Sequence, residues 1–85
     1  MSVADHEKEE PQADLLLDVR RLLCPLPILR AEAAIAPLAS GAILAVLATD
    51  PGLARDLPAW CSVHGHRFLG LKNQGRELIG WVAKG

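Results

Sequence analysis

Two prolines spaced one residue apart constrain this sequence more than any other feature, because they stand directly before an amphipathic run. The stretch is Cys24-Pro25-Leu26-Pro27. Apolar residues then recur at helical spacings of three and four, at Ile28, Ala31, Ile35 and Leu38. Proline is tolerated in the first turn of a helix, where its missing N–H has no intrahelical partner. We therefore predict a helix with Cys24 at the N-cap, Pro25 at N1 and Pro27 at N3, ending around Ala36.

Strand patterns lie on both sides of this helix. The short apolar run Leu15–Val19 predicts a first strand, and the continuously apolar run Ala42–Ala48 predicts a strand that is covered on both faces. The segments His66–Lys72 and Arg76–Lys84 flank the turn-forming residues 73–75, which predicts a hairpin of two antiparallel strands.

A second helix is predicted between the second strand and the hairpin. Asp50 is suited to the N-cap and Pro51 to the first helical position. Pro58 lies inside this segment, so we expect a kink or two short helical pieces. One stripe of the helix contains Leu53, Leu57, Trp60, Cys61 and His64.

The resulting order, β-α-β-α-β-β, predicts an α/β (α+β) two-layer sandwich. A right-handed crossover makes the first two strands parallel, and the hairpin adds antiparallel neighbours. The product is a mixed four-stranded sheet with both helices on one face. With 85 residues, 51% of them apolar, the chain is long enough to form one hydrophobic core.

Charge divides the chain into two parts. Residues 1–14 carry five acidic side chains and one basic, whereas residues 15–85 carry eight basic and five acidic. An acidic, aromatic-free segment buries too little apolar surface to offset its ordering entropy. We predict a disordered tail over 1–14, with a solvated His6, and a folded domain over 15–85.

Several protein classes are disfavoured by the composition. Two cysteines are too few for a disulfide scaffold and fit a reducing cytoplasm. The start has no secretory pattern, and no apolar run is long enough to cross a membrane. The modest positive charge of the domain and the lack of a basic-aromatic motif argue against direct nucleic-acid binding.

Cys24 is the candidate reactive group. At a helix start, the free amides of Leu26 and Ile28 favour a thiolate over a thiol, so we expect a lowered pKa and alkylation at a lower pH than for an ordinary thiol. Positive potential at the sulfur, or contacts with a partner protein, are expected from Arg20, Arg21 and Arg30. The alternative is that Cys24 is a small buried hydrophobe at a strand end.

Cys61 is predicted to be a core residue, because it shares a stripe with large apolar side chains. Together with His64 and His66 it also forms Cys-x-x-His-x-His. Structural zinc normally takes four ligands, and this spacing matches no standard finger, so we predict no metal site.

With these residues in view, the chain resembles the TusA/SirA-like sulfur-carrier family. The resemblance covers nearly all of residues 15–85, in "LDVRRLLCPLPILRA", "SGAILAVLATDPGLARDLPAWC", "GHRF" and the final hairpin ending in "AKG". Its most specific element is Cys-Pro-x-Pro at Cys24 to Pro27. The fold that it implies is the one reached above.

The resemblance implies a sulfurtransferase-type carrier rather than a stand-alone enzyme. Cys24 would accept sulfane sulfur as a persulfide from a cysteine desulfurase or rhodanese and pass it to an acceptor protein. Similar carriers serve tRNA thiolation, molybdenum-cofactor maturation and sulfur oxidation. Cofactors are not implied, and a monomer or weak oligomer is expected. Apolar contacts around the sulfur would come from Leu22, Leu23 and Leu26.

The chain departs from the family pattern at two positions. Members commonly carry glycine where this chain has Arg21, and often a polar or basic residue where it has Leu23. Two other function classes stay open: a non-catalytic docking or regulatory module shaped by Cys24–Pro27, and a redox or metal-linked thiol protein that uses Cys24 with Cys61.

Overall fold

A computed structural model describes residues 10–85 and has the predicted element order. The strands are β1 (Leu15–Val19), β2 (Ile43–Ala48), β3 (Arg67–Gln74) and β4 (Glu77–Ala83), and the helices are α1 (Leu26–Ile35) and α2 (Leu53–His64). The sheet order is β1-β2-β4-β3, with β1 parallel to β2 and the other two pairings antiparallel. The mixed sheet with two helices is thus confirmed. Within the described residues, neither helix is long and apolar enough to cross a membrane.

The core lies between the two helices and one face of the sheet. Strand side chains point alternately to the two faces, and Leu44, Val46 and Ala48 of β2 face the helices with Leu78 and Val82 of β4. The helices supply Ala31, Ile35, Leu53, Leu57, Trp60 and Cys61. Gly80 belongs to this face because a Cβ there would lie 2.5 Å from Leu57 Cδ2. Both helices therefore cover the same face.

The first described residues contact β2 and β3. Asp14 donates its N–H to the Ile43 carbonyl (2.8 Å), and its Oδ2 accepts from the Ile43 N–H (2.8 Å). Glu10 is ion-paired with Lys72 and lies in a cleft beside Trp81. Residues 10–14, part of the predicted tail, thus contact the sheet, whereas residues 1–9, including His6, lie outside the described residues.

The interior of α2 and the hairpin turn each differ from the prediction. α2 runs unbroken through Pro58, because proline removes only its own hydrogen bond while the apolar stripe on either side stays packed in the core. The hairpin turn is Gly75–Arg76 rather than residues 73–75, since Gln74 and Glu77 still pair. Gly75 has a φ of 71°, the left-handed conformation that a two-residue hairpin turn requires at its first position.

The last two residues of the sequence form hydrogen bonds with the segment after α1 and with His66, just before β3. Lys84 Nζ donates to the carbonyls of Ala36 (2.6 Å) and Leu38 (2.7 Å), just past the end of α1. The Gly85 N–H donates to Nδ1 of His66 (3.1 Å), so the imidazole accepts this bond in its neutral form. Partial burial, followed by the charges of His64 and Lys84, lowers the pKa of His66, while Glu32 opposes them.

We predict that stability falls with acidity through His66. Because its folded-state pKa lies below that of an unfolded histidine, the stabilisation is present above about pH 6.5 and is lost as pH falls through the folded pKa. Urea unfolding at about pH 7.5 and 5.5 should show a larger loss for wild type than for His66→Gln. Equal losses in the two proteins would contradict this role of His66.

Candidate functional site

The candidate site lies at one end of the sheet, where the parallel strands β1 and β2 both finish. Cys24 is an exposed free thiol in the loop between β1 and α1. The peptide bond between Cys24 and Pro25 is cis. The alternative of a buried cysteine at a strand end is therefore wrong for Cys24.

Helix α1 begins one residue later than predicted. Pro25, not Cys24, is the N-cap, so Leu26 is N1 and Pro27 is N2. The Leu26 N–H donates to the Leu23 carbonyl (2.8 Å), which closes a turn before the helix and delays its start. This bond also takes one of the two amides that were expected to favour a thiolate.

Asp50 connects the cysteine loop to the start of α2. Its Oδ2 accepts from the Cys24 N–H (2.9 Å), and its Oδ1 accepts from the Gly52 N–H (3.0 Å). Gly52, rather than the predicted Asp50, is the N-cap of α2, and Leu53 donates to the Asp50 main-chain carbonyl (3.1 Å). The carboxylate thus joins two loops instead of capping one helix.

The electrostatic environment of Cys24 is the reverse of the predicted one. The pKa of its thiol is raised above the ordinary value, first by loss of solvent around the sulfur, then by the charge and hydrogen bond of Asp56, and then by the charge of Asp50. Arg55 opposes these effects. The expectation of a lowered pKa is wrong because tertiary packing partly removes solvent from the sulfur and also brings two carboxylates to the helix start.

Sequence reasoning did not identify Asp56. Its side chain is only 29% exposed, and it follows Leu53 by three residues and precedes Trp60 by four. Those spacings place Asp56 on the inward side of α2. The signal that could have revealed it is a carboxylate within the stripe of apolar residues.

None of the three predicted arginines is among the groups that shift the pKa of the Cys24 thiol. Arg20 pairs with Asp18 (2.8 Å) and Glu77 (3.1 Å), and these carboxylates raise its pKa. The hydrogen bonds that Arg20 donates to Asp18 lower the pKa of Asp18 to about 2. Arg30 lies on the exposed side of α1. The cation that favours the thiolate is Arg55.

Arg21 occupies a backbone conformation that favours glycine. Its φ is 74°, and its N–H donates to Thr49 Oγ1 (2.8 Å). The left-handed region is strained for residues with a Cβ. This geometry gives a physical reason for the glycine that resembling sequences commonly have at this position.

Exposed apolar side chains lie near Cys24 in the sequence, on the loop and on α1. Leu23 is 67% exposed, Leu26 is 42% exposed, and Leu29 is 54% exposed. Leu22, which was expected to belong to this group, instead packs against the core. The exposed apolar surface beside Cys24 therefore consists of Leu23, Leu26 and Leu29, and Leu29 was not predicted to belong to it.

Cys61 is separate from this site. It is 2% exposed in the core, and burial raises the pKa of its thiol to about 11. His66 accepts the hydrogen bond from the Gly85 N–H, as described above. Among residues 10–85, no group of three or more histidine, cysteine or acidic side chains could hold a metal ion.

Comparisons with known proteins cover most of the chain. A family model described as Sulfurtransferase TusA matches residues 16–84. YrkI of Bacillus subtilis (strain 168) is 43% identical over 74 residues, covering 87% of this chain and 99% of that protein. "Sulfur carrier protein TusA" of Pseudomonas entomophila (strain L48) is 37% identical over 71 residues, covering 84% and 89%.

A solved structure matches the fold. The crystal structure of a SirA-like protein from Desulfitobacterium hafniense aligns with a TM-score of 0.73 at 22% identity, over 84% of this chain and 97% of the other. This match supports the α+β architecture described above.

We predict that Cys24 is alkylated only at higher pH than the same cysteine in an unstructured peptide. A peptide spanning residues 20–30 is the matched control, because it keeps the sequence neighbours but lacks Asp50 and Asp56. Iodoacetamide labelling, followed by mass spectrometry against pH, should give the higher midpoint for the folded protein. A midpoint at or below that of the peptide would contradict the assigned environment.

We predict that Arg21→Gly does not reduce stability. Relief of backbone strain, about 1 kcal/mol, offsets the greater chain entropy of unfolded glycine. Arg21→Val should lose about 1 kcal/mol or more, because a β-branched residue is poorly accommodated at positive φ. Urea unfolding compares the two variants, and a larger loss for Arg21→Gly than for Arg21→Val would refute the argument.

Proposed function

The chain belongs to the TusA/SirA-like family of sulfur carriers, and from this premise we propose that it carries sulfur as a persulfide on Cys24. In this proposal Cys24 accepts sulfane sulfur from a donor protein and relays it to an acceptor protein. The observation that best supports the proposal is that the Cys24 thiol is exposed, in a loop whose backbone N–H donates a hydrogen bond to Asp50.

The proposed transfer is a thiol exchange at sulfur. The Cys24 sulfur bonds to the terminal sulfur of a donor persulfide while the donor S–S bond breaks. The Cys24 proton is lost, and the donor sulfur leaves as a thiolate that takes up a proton. A second exchange of the same kind passes the sulfur to the acceptor, so no external oxidant or cofactor is needed.

The surface around Cys24 suits delivery by another protein. The thiol is exposed, and the neighbouring leucines offer apolar contact area to a docking partner. A cysteine desulfurase or rhodanese is the proposed donor class. The protein is thus a sulfurtransferase-type carrier whose turnover depends on its partners.

The raised pKa of Cys24 gives the unloaded carrier a protonated thiol at neutral pH. A protonated thiol is a poor nucleophile, so sulfur acceptance depends on loss of the proton when the donor docks. Alkylation at low pH therefore does not distinguish a carrier from a docking module. Direct detection of bound sulfur distinguishes them.

The reducing cytoplasm is the proposed location. Cys24 and Cys61 are both free thiols, and structural cysteines stay reduced in that compartment. Neither direct binding of nucleic acid nor attachment to a membrane forms part of the proposal.

We predict that incubation with a cysteine desulfurase and cysteine adds one sulfur to the reduced protein, and that the addition is removed by reductant. Intact-protein mass spectrometry should show the gain in wild type and Cys61→Ser but not in Cys24→Ser. A rhodanese with thiosulfate serves as the second donor.

Two outcomes would overturn the proposal. If wild type gains no sulfur from either donor, the docking module becomes the better account. If the gain persists in Cys24→Ser and disappears in Cys61→Ser, the sulfur-bearing residue has been assigned wrongly.

A further inference from the structure

Two carboxylates lie beside the thiol that is proposed to hold sulfur. Asp50 is anchored by hydrogen bonds from Cys24 and Gly52 at 2.9 and 3.0 Å. Asp56 stands on the first turn of α2, where its N–H donates to the Gly52 carbonyl (3.0 Å). The same loop therefore positions both negative charges relative to Cys24.

Asp56 adds a second negative charge that acts on the sulfur-bearing side chain. Its negative charge, together with that of Asp50, disfavours the charged form of Cys24. The side chain is largely withdrawn from solvent, at 29% exposed. Water therefore screens its charge less than that of a fully exposed carboxylate.

One cation opposes these two anions. Arg55 Nε lies 3.6 Å from Asp56 Oδ1, but the Arg55 side chain is 86% exposed. The charged groups that act on the thiol are thus Asp50 in the loop and Arg55 and Asp56 on α2. Their balance is negative, with the two anions less exposed than the cation.

We propose that Asp56, with Asp50, makes loaded Cys24 a ready sulfur donor by opposing the negative charge of its persulfide. This inference rests on the proposed function and adds a role for residues outside the Cys-Pro-x-Pro element. A persulfide is a stronger acid than its parent thiol and is largely anionic at neutral pH. Loading therefore places a negative charge beside two carboxylates, which favours onward transfer over retention.

The distribution of sulfur at equilibrium between two copies of the chain tests this inference and can be measured. In the exchange, an unloaded Cys24 thiol loses its proton and bonds to the terminal sulfur of a loaded Cys24 on the other copy. The loaded S–S bond breaks, and the released sulfur takes up a proton. One sulfur atom changes hosts with no net oxidation, so the equilibrium ratio compares the two environments directly.

The experiment mixes ¹⁵N-labelled wild type with unlabelled variants after chemical loading of one partner with polysulfide. A trace of glutathione acts as a shuttle, and intact mass gives the sulfur content of each copy. Loading first one partner and then the other establishes that equilibrium has been reached.

We predict that sulfur moves about tenfold toward Asp56→Asn, the effect of removing one close like charge worth about one pKa unit. Arg55→Gln, which removes the opposing cation, should shift sulfur toward wild type. Glu32→Gln, an exposed carboxylate on α1, is the matched control and should give a ratio near one.

A ratio within twofold of one for Asp56→Asn, or sulfur moving toward wild type, overturns the inference. Arg55→Gln gives an independent test through a highly exposed side chain, should Asp56→Asn fail to fold. A shift of sulfur toward Arg55→Gln, or no shift, also overturns it. If polysulfide loads no sulfur on wild-type Cys24, it is instead the proposed function that fails.

Discussion

The Asp50 carboxylate is the interaction on which the geometry of this site depends. One oxygen holds the Cys24 N–H and the other holds the Gly52 N–H, so a single side chain joins the loop before α1 to the loop before α2. Both loops leave the same end of the sheet, because β1 and β2 are parallel. The thiol is consequently positioned by backbone contacts while it remains exposed to a partner.

The core provides the rigid base for that connection. The two helices pack on the same sheet face, and the largest fully buried side chains include Ile35 of α1, Leu44 of β2 and Leu57 of α2. A small domain has few such side chains, so each helix position is strongly constrained. Asp56 lies one residue before Leu57, and the packing of α2 therefore also sets the position of its carboxylate.

The exposed position of Cys24 favours reaction with a partner, whereas the charges around it favour the neutral thiol. The loop and the prolines present the sulfur, as expected of a carrier, yet the nearby carboxylates favour a neutral thiol. For an enzyme that attacks a substrate with a resting thiolate, this environment would be unfavourable. For a carrier that must release the sulfur it accepts, the weak retention proposed above is consistent with the role.

The sequence alone determined the element order, the core stripes and the position of the Cys-Pro-x-Pro element before the first helix. Apolar spacings of two and of three to four residues are local patterns, and the Cys-Pro-x-Pro element is contiguous, so none of these required knowledge of distant contacts. The left-handed backbone at Arg21 was indicated only indirectly, by the glycine common in resembling sequences. The continuity of α2 through Pro58 depended on how well the flanking apolar residues pack.

The tertiary structure alone decided the electrostatics of Cys24. Asp50 and Asp56 follow it by 26 and 32 residues, and nothing local shows that they lie beside its sulfur. It was equally the fold that paired Arg20 with Asp18 and Glu77 and left Arg55 as the cation acting on the thiol. Charge interactions depend on distance and solvent exposure, and both are set only when separate elements pack together.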